Sequence, residues 1–164
     1  MRLNCYCQKG VEIPPKTFKY VLDGFDLFCG PDCFLKFINE FHGQEILLNP
    51  RGPFVTRVFE VWDYDTNQFY RSMFEVYVAR FFKDNGFQFY YEPHTFRLGP
   101  HLYTPDFYLS DQKLYVEVKG RWNSGAKQKI REAAKGINLA VLPAYLQPEF
   151  AKQYKTKDDI VGRY

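Results

Sequence analysis

The sequence contains no apolar run approaching the ~18 residues that a membrane-spanning helix requires, and its opening Met1-Arg2-Leu3-Asn4 leads into no signal-peptide core. Both absences favour a soluble, cytoplasmic protein without a membrane partner. No internal repeat or low-complexity segment is visible, which removes solenoid and linker-like architectures. Cysteine is absent after residue 33, and the net charge is only +3 over 164 residues. Aromatic residues, in contrast, are abundant: 17 Phe and 13 Tyr bring their share to 20% with the two Trp. Each ring can bury ~150–250 Å², so a large core is expected and general disorder is not.

The charge is unevenly placed. From Lys119 to Tyr164 there are ten Lys or Arg against four Asp or Glu. This last third can face phosphate or simply form a solvated helix surface.

The four cysteines lie at Cys5, Cys7, Cys29 and Cys33, so the start of the chain reads as a small module of its own. The turn-forming run Asn49-Pro50-Arg51-Gly52-Pro53 closes it. The expected division is a cysteine module over 1–48, an extension over 49–70 and a catalytic-sized domain over 71–164. In that last part Ser72 can cap a helix running to about Lys83, with Met73, Phe74, Tyr77, Val78, Phe81 and Phe82 at helical spacing and Asn85-Gly86 ending it. Extended runs follow at Phe87 to Tyr91, Tyr103 to Leu109 and Leu114 to Lys119, with Ser110 to Lys113 as a turn. Ala126 to Lys135 reads as a helix stopped by Gly136, and Ile137 to Leu142 as a buried strand. The fold class is therefore α/β (α+β), in the order helix, three strands, helix, strand.

The hairpin register gives this pattern its chemistry. If Leu109 faces Leu114 across the turn, three steps back along each strand set Asp106 against Glu117. Opposed carboxylates repel at ~4.5–5.5 Å between Cβ atoms unless a cation lies between them. Strand alternation puts Tyr115, Glu117 and Lys119 on one face and Leu114, Val116 and Val118 on the other. Hard oxygen donors beside a lysine suit Mg²⁺ or Mn²⁺. Lys119 could orient a water, act as its base or stabilise developing charge. On the preceding helix Glu75 shares a stripe with Val78, Ala79 and Phe82, which brings its carboxylate to the edge of the buried face.

Pro105-Asp106, ten residues, then Glu117-Val118-Lys119 resembles the signature of the PD-(D/E)XK nuclease superfamily. Within it, Tyr103-Thr104-Pro105-Asp106-Phe107 and Glu117-Val118-Lys119-Gly120-Arg121-Trp122 are similar to the phage endonuclease I family, which resolves branched DNA such as the Holliday junction. The resemblance spans about Arg71 to Asn123. It implies a restriction-endonuclease-like αβββαβ core around a mixed sheet, with Asp106 and Glu117 as metal ligands, Lys119 as catalytic lysine and Glu75 as the helix glutamate. It also implies a Mg²⁺-dependent endodeoxyribonuclease leaving 5′-phosphate and 3′-hydroxyl ends, and a phage or viral source. Two other readings remain open: a site-specific or transposon-end-type endonuclease acting with a partner, and a non-catalytic zinc-containing DNA-binding protein. Cutting both strands favours a homodimer.

The cysteine module is not part of the endonuclease I pattern. Cys5-Tyr6-Cys7 and Cys29-Gly30-Pro31-Asp32-Cys33 supply the four thiolates of a closed structural zinc site. Phe28-Cys29-Gly30-Pro31-Asp32-Cys33 resembles the Phe-Cys-Ser-x-x-Cys knuckle of treble-clef-like modules, with Phe34 to Phe41 as the helix. The first pair has one intervening residue instead of two, His42 is an alternative ligand, and four reduced buried thiols are the other reading. Arg121, Trp122, Lys127, Lys129 and Arg131 follow the Glu117 strand and can grip or stack on DNA, or serve as an ordinary solvated surface with a structural Trp. His94 and His101 read as loop residues that could touch phosphate, and Asp63 and Asp65 as loop.

Overall fold

The computed structural model describes residues 2–13, 24–52 and 60–154, together with the backbone of 160–163. Parts of the expected cysteine module (14–23), of the extension (53–59) and of the basic C-terminal stretch (155–159 and 164) lie outside the described residues. A short hairpin, β1 (Arg2–Asn4) and β2 (Gly10–Glu12), opens the chain and carries Cys5 and Cys7 in its turn. Helix α1 (Pro31–Glu40) starts at Pro31, where the missing N–H costs nothing, and buries Cys33, Phe34, Phe37 and Ile38. The helix ends at Glu40, before the Pro/Gly run reached from sequence.

Strands β3 (Glu60–Asp63) and β4 (Gln68–Tyr70) form a hairpin, and β11 (Ile160–Arg163) pairs with β3 antiparallel. Asp63, expected in a loop, is the last residue of β3 and is fully buried. It receives Arg80 Nε at 3.0 Å, and the same guanidinium pairs with Asp65. A buried carboxylate requires such a partner, and one sits on the facing helix.

Helix α2 (Met73–Asp84) begins where the sequence places it. Ser72 Oγ accepts from the Glu75 N–H at 3.2 Å, a side-chain cap that fits the Ser-x-x-Glu spacing. At its other end Gly86, at φ +74°, directs its N–H to the Lys83 carbonyl, while the Phe87 N–H reaches the Phe82 carbonyl at 2.9 Å. This paired closure needs a left-handed residue, which glycine adopts without a Cβ clash.

The central sheet has the order β10 (Leu139–Pro143), β9 (Leu114–Lys119), β8 (Phe107–Leu109), β5 (Phe89–Tyr91). The β5–β8 and β8–β9 pairs are antiparallel, and β10 is parallel to β9 after a crossover through α3 (Ser124–Ala133), which makes the sheet mixed. The turn register is the expected one, with Leu109 opposite Leu114 and Phe107 opposite Val116. The expected single strand from Tyr103 to Leu109 is instead two elements. β6 (Phe96–Leu98) and β7 (His101–Tyr103) make a separate hairpin around Gly99-Pro100, and pairing in the main sheet resumes only at Phe107. Pro105 has no N–H to continue a ladder, which accounts for the break.

The two faces of the sheet bury different partners. Leu114, Val116, Phe107 and Leu109 pack under α2 with Val78, Ala79 and Phe82, and α4 (Gln147–Gln153) adds Phe150 to the same cluster. Phe34 of α1 joins it, with ring centroids 5.9 Å from Phe81 and 6.3 Å from Phe82. On the opposite face Tyr115 and Val141 pack with Ile130 and Ala133 of α3 and with Phe96, Leu98 and Tyr103 of the hairpin. Among the described residues, no helix is long and apolar enough to cross a membrane.

Candidate active site

The β8–β9 ladder is antiparallel, so continuing it one step past Phe107 and Val116 sets Asp106 against Glu117. Both carboxylates are 5% exposed. Asp106 Oδ2 accepts the Val118 N–H at 2.6 Å, and its Oδ1 lies 3.4 Å from Arg71 Nη2. Glu117 Oε1 accepts from Lys119 Nζ at 2.9 Å and its Oε2 from the Tyr103 hydroxyl at 2.9 Å. The alternation of β9 brings the lysine and both acids together, while Val116 and Val118 pack on the other side.

These contacts set the protonation balance. Burial, then the charges of Glu117 and Glu75, raise the Asp106 carboxyl well above its ordinary range, against the Val118 N–H and Arg71. For Lys119, burial opposes the charged form, but Glu117 and Asp106 outweigh it and hold the ammonium above its usual value. Lys119 is therefore a cation in this arrangement. Two mutually repelling oxygen donors buried side by side fit a hard divalent ion; here Arg71 and Lys119 supply the compensating charge.

Glu75 occupies the third position of α2 and is committed to its start. Its Oε1 accepts from Ser72 Oγ at 2.7 Å, and its Oε2 from the Arg71 N–H at 3.0 Å and the Tyr91 hydroxyl at 2.6 Å. Its charge still reaches Asp106.

Sequence reading missed Arg71, Tyr91, Glu92 and Tyr103 as contributors. Glu92 carries no local signal: only in the assembled sheet does the β5–β8 register, extended one step past Tyr91 and Phe107, set it against Asp106, where its N–H donates to the Asp106 carbonyl at 2.9 Å. Glu92 is buried and pairs with the Arg71 guanidinium.

A cleft of about 550 Å³ opens at Glu117, lined also by Arg71, Tyr103, Lys119, Asn123 and Lys129 among others. Lys129 is thus the residue of the basic group that joins the site. Arg131 lines a different cavity beside Asn138 and Leu139, and Lys127 is half-buried on α3. Arg121 is exposed just past β9, and Trp122 packs on the Phe96–Ile130 cluster. His94 Nδ1 lies 2.8 Å from the Tyr115 hydroxyl, and His101 is exposed on the hairpin.

The four cysteines form a second centre. They are free thiols whose sulfurs all lie within 4.8 Å of one another, with Cys5 and Cys7 3.1 Å apart and Cys7 and Cys29 3.6 Å apart. Among the described residues they are the one group of three or more such ligands that converges in this way, and they could hold a metal such as zinc without His42. The neighbouring Cys5 and the Lys9 backbone draw the Cys7 thiol down to about 6, while burial and the other thiols push Cys29 up to about 12. The turn bearing Cys5 and Cys7 is fixed by the Cys5 N–H on the Lys9 carbonyl at 3.0 Å and the Tyr6 N–H on the Leu27 carbonyl at 2.7 Å.

Comparison with characterised proteins connects the chain to enzymes that cut DNA. It is 36% identical over 80 residues to endodeoxyribonuclease 1 of Enterobacteria phage T3. The match covers 44% of this chain and 52% of that protein, so the chain spans about half the length of this relative. No family model matches the chain, and no solved structure does.

Proposed function

We propose that this protein is a metal-dependent endodeoxyribonuclease with a PD-(D/E)XK-type core, α2-β5-β8-β9-α3-β10. The observation that carries the reading is the buried Asp106–Glu117 pair, opposed across β8 and β9, with Lys119 bonded to Glu117 at the edge of a cleft. Asp106 and Glu117 would hold Mg²⁺ or Mn²⁺, which when bound supplies Lewis acidity and lowers the pKa of water. Lys119, kept charged by its neighbours, orients the nucleophile and stabilises negative charge developing on the phosphate. Tyr103 fixes the Glu117 carboxylate, and Lys129 offers a backbone-phosphate contact in the cleft. Glu75 organises the start of α2 and adds negative charge behind Asp106.

DNA is the substrate class, supported by the phage relative. Branched DNA is the preferred form on the resemblance of Tyr103 to Phe107 and Glu117 to Trp122 to endonuclease I. Hydrolysis then leaves 5′-phosphate and 3′-hydroxyl ends. Zinc at Cys5, Cys7, Cys29 and Cys33 is structural, because four thiolates leave no open position for chemistry.

The test is incubation with linear, nicked, supercoiled and four-way DNA in Mg²⁺, in Mn²⁺ and in EDTA. Cleavage in both metals, none in EDTA and the fastest turnover on the four-way substrate are expected. A folded, zinc-replete protein that cuts none of these DNAs would overturn the proposal.

A further inference from the structure

Glu92, Asp106 and Glu117 form a row. The β5–β8 and β8–β9 registers, each continued by one step, set Glu92 beside Asp106 and Asp106 beside Glu117. The Asp106–Glu117 part of this row is the site already described; Glu92 is an acid beyond it. Its side chain is 2% exposed, and it sits at φ +47°, a backbone region that a non-glycine residue adopts at some cost. Burial of a carboxylate costs several kcal/mol unless a cation accompanies it. Here that cation is Arg71, whose Nη2 is shared between Glu92 and the more distant Asp106 Oδ1 at 3.4 Å.

Arg71 differs from its two partners in access. Its side chain is 41% exposed and lines the cleft with Lys119 and Lys129. The guanidinium is planar with five donors, so one edge can stay on a carboxylate while another meets a phosphate. The two carboxylates hold it unequally: Glu92 is closer and fully buried, so the Asp106 contact is the one that yields first.

We propose that Arg71 is a resident cation at Asp106, in competition with a divalent metal for that carboxylate and available to a DNA phosphate in the cleft, and that buried Glu92 is the residue that positions it. The proposal rests on the reading of Asp106 as a metal ligand. It adds Arg71 as a substrate-binding residue and Glu92 as a residue acting through Arg71.

The experiment uses the full zinc-replete chain and measures two bindings, Mn²⁺ without DNA by electron paramagnetic resonance, and four-way DNA in Ca²⁺ across a salt series. Arg71→Ala should tighten Mn²⁺ binding roughly three- to tenfold by removing a competing charge. It should also reduce the salt slope of DNA binding by about one phosphate contact. Arg71→Lys, which keeps the charge, should return both values toward wild type. Glu92→Gln should weaken DNA binding in the wild-type background and have little further effect in the Arg71→Ala background, as coupled residues do. The double variant also neutralises the buried Glu92 charge that Arg71→Ala alone leaves unpaired, so it separates a binding effect from that folding defect.

Mn²⁺ affinity unchanged or weakened in both Arg71→Ala and the double variant would overturn the competition. A Glu92→Gln effect that persists in full without Arg71 would overturn the positioning role. If Asp106→Asn binds Mn²⁺ as wild type does, the metal-site reading itself fails, and the proposal with it; that outcome is distinguished by being read without any change at Arg71.

Discussion

Tyr103 donates its hydroxyl to Glu117 Oε2 at 2.9 Å from a hairpin that is not part of the sheet bearing Glu117. Asp106 and Lys119 complete the same neighbourhood, so the acids are fixed both by their own strands and from outside. Asp106→Ala, Glu117→Ala and Lys119→Ala should each reduce plasmid cleavage by roughly a thousandfold or more, because each would delete a proposed metal ligand or the lysine cation beside it. DNA binding by the two acid variants should persist or tighten, since each removes repulsion toward phosphate. Tyr103→Phe should cost a more modest factor, about five- to tenfold, in line with one hydrogen bond to a charged group. Wild-type cleavage by a folded Asp106→Ala protein would refute the assignment.

Glu75 serves the helix as well as the site, and two substitutions should separate these roles. Glu75→Gln keeps one acceptor oxygen for the Arg71 N–H and the Tyr91 hydroxyl and turns its amide N–H toward Ser72 Oγ, so it should retain most of the stability while lowering cleavage. Glu75→Ala should lose about 1 kcal/mol in addition, the scale of a helix N-terminal cap. Thermal melts and cleavage rates compared across the pair decide the point. Equal activity in wild type and Glu75→Gln would make Glu75 purely a helix-start residue.

The raised Asp106 carboxyl gives a signed pH prediction for metal-free protein. A folded-state pKa above the unfolded value favours the protonated form in the fold, so the charged form carries a penalty that grows as pH rises from the unfolded value through the folded one. Asp106→Asn should therefore stabilise the metal-free protein, little at about pH 4, near the unfolded carboxyl pKa, and more toward neutrality. Denaturant midpoints at several pH values measure it. A gain that shrinks with rising pH would contradict the sign.

Lys129 lines the active-site cleft whereas Arg131 lines another cavity. Replacing Lys129 with alanine should lower the salt slope of DNA binding by about one unit, and replacing Arg131 should change it less. Equal slopes for the two variants would place the DNA track along the whole of α3 instead.

Purified protein should carry about one zinc per chain at the four cysteines. Cys33→Ser, at a buried position, should release it and lower thermal stability. Zinc affinity should fall as pH drops, because the thiolates must compete with protons for the metal and burial holds the Cys29 and Cys33 thiols up. Elemental analysis of gel-filtered protein at two pH values tests both statements.

Much of this was legible from short-range patterns. Ser72 and Gly86 bracketed α2 because capping and left-handed closure depend on residues a few positions apart. The Leu109–Leu114 turn fixed the Asp106–Glu117 register because side-chain alternation leaves no freedom in a four-residue hairpin. The break at Pro105 was also encoded locally, yet Tyr103 to Leu109 reads as one extended run, and the pairing partners are what assign β7 and β8 to different sheets. Asp63 and Arg80 are 17 positions apart, and nothing in either neighbourhood announces their pairing. Arg71 and Glu92 escaped for the same reason: an ion pair between a helix approach and a strand exit is visible only once the sheet has been assembled.

The packing of Phe34 on Phe81 and Phe82 ties the cysteine segment to the helix whose first turn holds Glu75. A chelator would then act at two tempos. An ion held by Asp106 and Glu117 beside the cleft would be lost at once and restored by adding magnesium. Extraction of a zinc held in the closed thiolate cage would be slow, would loosen the aromatic wedge behind α2, and would leave an inactivation that magnesium alone does not repair.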